Sequence, residues 1–262
     1  MRTVKLKILT DTLLKEFVLL TKDFSLSILK EQEKTKLPVD YFQFYKSISS
    51  VYSSKIEGED IDFDSYFKHK FLNVQFKPNY TRKADDLYLA YEFIESNTLN
   101  LENVQKAHSL LSSNLLPSTQ QGLIRRNPML IFNNKDQIEY VAAPATILET
   151  ELEKLFFDVD FLLNEELTVQ EVFYFASLIH LVFVKIHPFQ DGNGRTARLI
   201  EKWFLYEKLG KLATSVQLEK NYYKNLEHYY LNIKILGLEY EELNYERALS
   251  FLLMTIKGIG KE

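Results

Sequence analysis

Apolar residues recur at helical spacing through most of this chain. Between Thr10 and Glu33, Leu13, Leu14, Phe17, Val18 and Leu20 share a face behind Asp11, an N-cap type of residue. One helix is predicted there, separated by Pro38 from a second, Tyr41–Tyr52, with Phe44, Tyr45, Ile48 and Tyr52 on its apolar face. An acidic run, Glu57–Asp62, leads into a segment without clear period up to Pro78, the best candidate boundary between an N-terminal extension and a core domain. From Asp85 the helical pattern resumes, with Leu87, Tyr91 and Ile94 on one face and Val104, His108 and Leu111 on another. Between Pro117 and Pro144 the period changes. Short apolar runs, Met129–Phe132 and Ile138–Val141, flank Asn133-Asn134-Lys135-Asp136, which reads as a β-hairpin.

Thr168 and Glu171 have the spacing of a capping box, and the body that follows, Val169–Ile186, is apolar on nearly every face. Such a helix is usually the buried centre of a bundle. Pro188 halts it, and another helix begins near Gly194 with Ile200, Trp203 and Phe204. Two more, roughly Gln217–Ile235 and Leu243–Ile256, close the pattern. The expected fold is all-α with one hairpin.

Composition narrows the chemistry. The 262 residues include no cysteine, which excludes thiolate nucleophiles, disulfides and Cys-ligated zinc. A formal net charge of −4 gives no global basic field for nucleic acid or an anionic membrane. The N-terminus lacks a signal-peptide pattern, and the most apolar stretch, Phe173–Ile186, is interrupted by His180 and Lys185 and is short for a bilayer. A cytoplasmic protein with no nucleic-acid or membrane partner is the default expectation.

The informative stretch is His187-Pro188-Phe189-Gln190-Asp191-Gly192-Asn193-Gly194-Arg195-Thr196-Ala197-Arg198, between two expected helices. A His is delivered to a Pro-stiffened loop, followed by a carboxylate and a Gly-Asn-Gly turn whose backbone N–H groups can face an anion. The next helix starts there with its positive end, and Arg195 and Arg198, three apart, can reach one site. Each part alone has a plainer reading: a structural His, a common turn, a capping Asp, a solvated Arg face. Their order together is what points to a phosphate nest with a base and a metal ligand.

This stretch resembles the signature of the Fic family, HPFx(D/E)GNGRxxR, at every defined position. The resemblance extends to Gly122–Arg126 and Tyr140–Pro144, similar to the family's flap hairpin, and to Asn221-Tyr222-Tyr223 with Leu226, similar to a stretch lining its nucleotide pocket. It covers about Asp85 to Ile235. It implies a Fic fold: a helical bundle with a hairpin flap, residues 81–262 as catalytic domain and residues 1–80 as helical extension.

By that resemblance the protein is an adenylyltransferase moving AMP from ATP to a Tyr, Thr or Ser hydroxyl of a target protein, or of itself. His187 would be the general base, a role typically contributing about 10²–10⁴-fold. Asp191 would hold Mg²⁺, and Gly192, Asn193 and Gly194 would cradle phosphate, with the Asn193 side chain adding a polar contact. Arg195 and Arg198 would neutralise the β- and γ-phosphates. Tyr222 and Tyr223 would line the nucleotide pocket, and Ile131, Phe132 and Tyr140 of the flap would dock the target chain by strand addition. Phe189 would anchor the loop. In some relatives an Asn near adenine follows the Tyr pair, where this chain has His228-Tyr229-Tyr230, so base preference is open.

Upstream, Ser53-Ser54-Lys55-Ile56-Glu57-Gly58 resembles the family's inhibitory pattern, (S/T)xxxE(G/N), in its N-terminal form. By that resemblance Glu57 pairs with Arg198 in place of the γ-phosphate, and Ser53 fixes the brake helix. Alternatives are the reverse, AMP-removing reaction, another donor nucleotide, or an ATP-binding module without turnover. A winged-helix transcription factor is not expected from a chain ending at Glu262. A zinc site on His180, His187 and Asp191 is weaker than a hydrogen-bonded core His180. Some relatives pair through surfaces that regulate the brake, which leaves a homodimer open.

Overall fold

The computed structural model describes residues 5–33, 39–133 and 135–259. Pro38, expected as a helix separator, and Asn134 of the hairpin turn lie outside the described residues. In chain order the α-helices are α1 (Leu14–Leu20), α2 (Ser27–Glu33), α3 (Tyr41–Ile56), α4 (Phe63–Leu72), α5 (Pro78–Phe93) and α6 (Leu101–Leu111). After the strands β1 (Leu130–Phe132) and β2 (Ile138–Val141) come α7 (Leu148–Asn164), α8 (Val169–Ile186), α9 (Asn193–Leu209), α10 (Leu218–Lys224), α11 (Leu226–Lys234) and α12 (Leu249–Gly258). The fold is helical with one antiparallel hairpin, as the pattern predicts.

α8 is the axis. Its N-terminus carries the full capping box, Thr168 accepting from the Glu171 N–H while the Glu171 carboxylate accepts from the Thr168 N–H at 2.8 Å. Along it, Phe173, Phe175, Ile179, Val182, Phe183 and Ile186 have no exposed surface. α7, α9, α12 and α1 pack around it. By length and composition α8 could cross a membrane, yet 78% of it is buried inside the protein, so its apolar surface is already used by the core.

The core cluster runs from Leu9 and Phe17 to Leu252 and Ile256, so the first helices and the last share one interior. The Asp158 carboxylate, wholly buried on α7, accepts the N–H groups of Lys7, Ile8 and Leu9 and ties the N-terminal segment to the bundle. α3 lies across α5 and α10. That packing carries its C-terminal end, and Glu57, towards the start of α9.

Five expectations on element bounds are corrected. The span Thr10–Glu33 holds two helices, because the Thr21 hydroxyl turns back onto the Phe17 carbonyl and ends α1; Asp11 makes no side-chain cap. The segment after the acidic run is a helix, α4, capped by Asp62 and closed by Asn73 in the left-handed region. Pro78 opens α5 rather than a linker, and α5 runs across residue 80. Gln217–Ile235 breaks at Asn225 into α10 and α11, and Leu243–Ile256 begins with a short 3-10 turn, Tyr245–Arg247.

Candidate active site

α8 ends by turning left-handed at His187, φ +55°, a conformation in which His is several-fold enriched among non-glycine residues. Its Nδ1 lies 3.1 Å from the Val184 carbonyl. A carbonyl only accepts, so Nδ1 carries the hydrogen and Nε2 is left bare. Burial pushes the imidazole down to about 4, so Nε2 is an unprotonated base at neutral pH.

Arg125 clamps this loop from outside. Its guanidinium donates to three carbonyls, His187 at 2.8 Å, Asn127 at 2.6 Å and Ala143 at 2.5 Å, and its N–H donates to the Pro188 carbonyl at 2.9 Å. The catalytic loop and both arms leading to the hairpin thus share one buried cation. Arg125→Met is expected to destabilise the fold by about 2–4 kcal/mol, since it strands carbonyls where water has little access. Denaturant unfolding reads that loss, and faster amide exchange in β1 and β2 should accompany it.

Asp191 is exposed, with one carboxylate oxygen accepting the Gly192 N–H at 2.6 Å. Gly192 has φ +77°, and a Cβ there would meet Leu111 and His108. His108, wholly buried on α6, stacks on Phe189 with centroids 3.7 Å apart. Its Nδ1 accepts the Gly122 N–H at 2.8 Å, so the hydrogen sits on Nε2 and is donated to the Asp191 carbonyl at 2.9 Å. Phe189 is a buried anchor, as expected. Asn193 differs from expectation: its amide is spent on the Phe189 N–H and C=O, 2.8 Å each, so it braces the loop from within instead of facing a ligand.

Arg195 and Arg198 leave the first two turns of α9 on the side facing α3. Arg198 has no exposed surface and donates to the Ser53 hydroxyl at 2.9 Å, the Ser53 carbonyl at 3.2 Å and the Glu57 carboxylate at 2.6 Å. Burial works to raise the Glu57 carboxyl, but Arg198 and Arg195 outweigh it and hold it below the usual range. Glu57 Oε1 also sits over Gly194, where a Cβ would come within 2.7 Å of it. The carboxylate therefore lies against the Gly-Asn-Gly backbone at the positive end of α9. Arg195 meets Glu59 at 3.2 Å, a contact that sequence reasoning missed, and its buried Nε has no hydrogen-bond partner.

Glu57 and Arg198 open, together with His187 and Gly194, on a cavity of about 830 Å³ whose lining does not include Asp191 or Arg195. Glu57, His187, Gly194 and Arg198 line one side, the hairpin residues Ile131, Phe132 and Tyr140 another, and Tyr229 and Tyr230 a third. The hairpin pairs Leu130 with Val141 and Ile131 with Tyr140, and Phe132 is 53% exposed at its edge. Lys185 also reaches the wall; its ammonium lies 3.9 Å over the Tyr140 ring, and burial brings it down to about 8. The expected pocket residues Tyr222 and Tyr223 do not line this cavity. Tyr222 is wholly buried with its hydroxyl on Glu201 and Thr255, and Tyr223 packs against Tyr52. α10 turns their face inward, and the break at Asn225 brings α11 and its own tyrosine pair to the opening.

Residues 98–205 match the model of the Fic/DOC family. The chain carries a Fic domain. A segment of 104 residues, 39% of the chain, is 31% identical to "Protein adenylyltransferase Fic" of Nematostella vectensis and spans 24% of that protein's length. Among solved structures, a Fic family protein from Desulfovibrio desulfuricans superposes with a TM-score of 0.74 at 20% identity, covering 98% of this chain and 75% of that one. A Fic domain-containing signalling protein from Bacteroides thetaiotaomicron gives 0.62 at 16% identity, over 94% and 92% of the two chains. The similarity to these two establishes the shared helical fold. Within the chain, the Fic match contains His108, Arg125 and the whole His187–Arg198 stretch, whereas Glu57 and Glu59 reach the site from outside it.

The Fic domain's neutral imidazoles carry a stability consequence. His108, like His187, is pushed down to about 4 by burial, and burial lowers His180 too. Unfolded, these imidazoles take up protons below about pH 6.5, while folded they stay neutral. Stability is then full above pH 6.5 and falls towards pH 4, by at most about 1.4 kcal/mol per pH unit for each imidazole. Thermal unfolding at pH 7, 6 and 5 should show this decline, and a shallower one for His108→Gln.

Proposed function

We propose that this Fic domain transfers AMP from ATP to a side-chain hydroxyl of a protein, and that Glu57 restrains the reaction. The observation that carries the proposal is the Glu57 carboxylate held by Arg198 against Gly194, in the same cavity as a bare His187 Nε2. A carboxylate in an anion nest marks where a phosphate would sit. The acceptor hydroxyl attacks the α-phosphorus, His187 Nε2 takes its proton, and the bond from that phosphorus to the bridging oxygen breaks to release pyrophosphate. Arg195 and Arg198 neutralise the β- and γ-phosphates, and the backbone of Gly192–Gly194 cradles them.

Among the described residues no cluster of three His, Asp or Glu could hold a metal by itself. A lone exposed carboxylate still suits Mg²⁺, which commonly binds through one or two carboxylates plus substrate phosphates. Asp191 would hold it beside the nest, where it would offset phosphate charge. The hairpin would receive the target along its exposed edge, with Ile131 and Phe132 against the incoming chain. Tyr140, whose hydroxyl donates to the Lys185 carbonyl at 2.7 Å, would support that surface from beneath.

The test is incubation of the Glu57→Gly protein with Mg²⁺ and ATP, labelled at either the α- or the γ-phosphate. Label from the α position only, with a protein mass gain equal to AMP, supports the proposal. Label from the γ position would make it a phosphotransferase. AMP release from a modified protein by the wild type, with no forward labelling by either, would make the reverse reaction its activity.

A further inference from the structure

Behind Arg198 the core contains a chain of polar groups that neither the Fic match nor the proposed chemistry accounts for. Arg198 Nη1 lies 3.3 Å from the Tyr229 hydroxyl, which lies 3.1 Å from His180 Nε2, and His180 Nδ1 lies 2.6 Å from Glu201. All four side chains are at most 1% exposed. Such groups would cost more than apolar ones unless every partner is satisfied.

The direction of each bond follows from the partners. Glu201 stays ionised, accepting also from Ser177, Tyr222 and Thr255, so His180 Nδ1 must carry the hydrogen. His180 is neutral and its Nε2 is an acceptor, satisfied by the Tyr229 O–H. The Tyr229 oxygen keeps its lone pairs for Arg198, which can only donate. The chain runs one way, from the guanidinium through hydroxyl and imidazole to the carboxylate, across α9, α11 and α8.

We infer that Tyr229, His180 and Glu201 are positioning residues that hold Arg198 ready for the terminal phosphates of ATP once Glu57 has left. This rests on the reading of the cavity as a nucleoside triphosphate site. Of the Arg198 contacts, those to Ser53 belong to the brake helix, and the one to Glu57 is lost on activation. Tyr229 is the partner on the opposite side of the guanidinium. Holding the fork in place lowers the ordering cost of binding, which is how preorganisation improves affinity.

The experiment measures equilibrium binding of ATP and of AMP to Glu57→Gly protein, alone and combined with Tyr229→Phe or Thr255→Val. Thr255→Val removes a hydrogen bond to Glu201 but leaves the path to Arg198 intact. Tyr229→Phe should weaken ATP about ten-fold and leave AMP unchanged, because AMP lacks the phosphates Arg198 would hold. Thr255→Val should leave both ligands unchanged. Should Tyr229→Phe not fold, His180→Phe, which takes the hydroxyl's acceptor away, should show a loss of about three-fold in the same ATP-only pattern. Equal weakening of ATP and AMP, or a lower melting temperature with unchanged ATP binding, overturns the positioning role while leaving the nucleotide reading intact. A Glu57→Gly parent that binds no ATP overturns both.

Discussion

Glu57→Gly is expected to raise self-labelling from α-labelled ATP by about 10–100-fold over wild type. The magnitude follows from what the carboxylate holds. A charge-assisted bond of 2.6 Å to a guanidinium with no exposed surface is a strong one, whereas Glu57 itself keeps 31% of its side chain exposed. The net value therefore lies between that of a surface pair and that of a buried one, about 1.5–3 kcal/mol. Removing the carboxylate costs the fold little. Glu57 is the C-cap of α3 with φ −86°, a position that glycine accepts, and Gly58 already supplies the left-handed turn. Glu57→Gln separates charge from bulk: it keeps the shape over Gly194 and loses the ion pair, so its labelling should fall between the other two. Equal rates for all three would sink the brake. Glu59 predicts a second tier. With its bond to Arg195 intact, Glu57→Gly frees one clamp only, and adding Glu59→Gln should raise the rate again.

What was readable beforehand divides along physical lines. α8 and its capping box follow from local pattern, since an all-apolar body and a Thr-x-x-Glu start leave few alternatives. The hairpin likewise follows from a change of period between two prolines. Breaks without a breaker were missed. Nothing in Gln217–Ile235 interrupts the period, yet α10 and α11 both pack on α12 and the chain leaves the helix at Asn225, whose side chain donates back to the Asn221 carbonyl. That break decides which tyrosine pair faces the cavity, so the position of Tyr222 and Tyr223 away from it follows from the missed bound. α4 carried a readable signal in Asp62 at its start and Asn73 at its end, which the acidic run before it masked.

For the site, the loop was legible because its residues are contiguous, and Glu57 because a short motif carries it. His108 and Tyr229 were not legible in their roles. Each acts through contacts with segments far along the chain, His108 on Gly122, Phe189 and the Asp191 carbonyl, Tyr229 on His180 and Arg198, and no local pattern encodes such partners. Arg125 was placed in the flap region, yet its task of joining that region to the His187 loop depends on three carbonyls that only the fold brings together.

In the Glu57→Gly background, loss of the imidazole at residue 187 should lower the labelling rate by about 10²–10⁴-fold with ATP affinity unchanged. The separation of rate from affinity is the informative part. His187 lines the cavity and its Nδ1 is held on Val184, so Nε2 is the nitrogen left to take a proton, and it is not part of the phosphate nest. The choice of substitution matters. Residue 187 sits at φ +55°, where alanine is strained and could shift the loop it begins, so a loss in His187→Ala alone would mix chemistry with geometry. Asparagine tolerates that conformation, can donate its amide towards Val184, and offers no basic nitrogen. His187→Asn should therefore keep the melting temperature and ATP binding of its parent and still lose the rate. If it labels as fast as the parent, another group takes the proton, and Lys185, brought down to about 8 at the same wall, is the first to test. If rate and ATP affinity fall together, the role of His187 is to shape the nest, and the acceptor hydroxyl loses its proton to water.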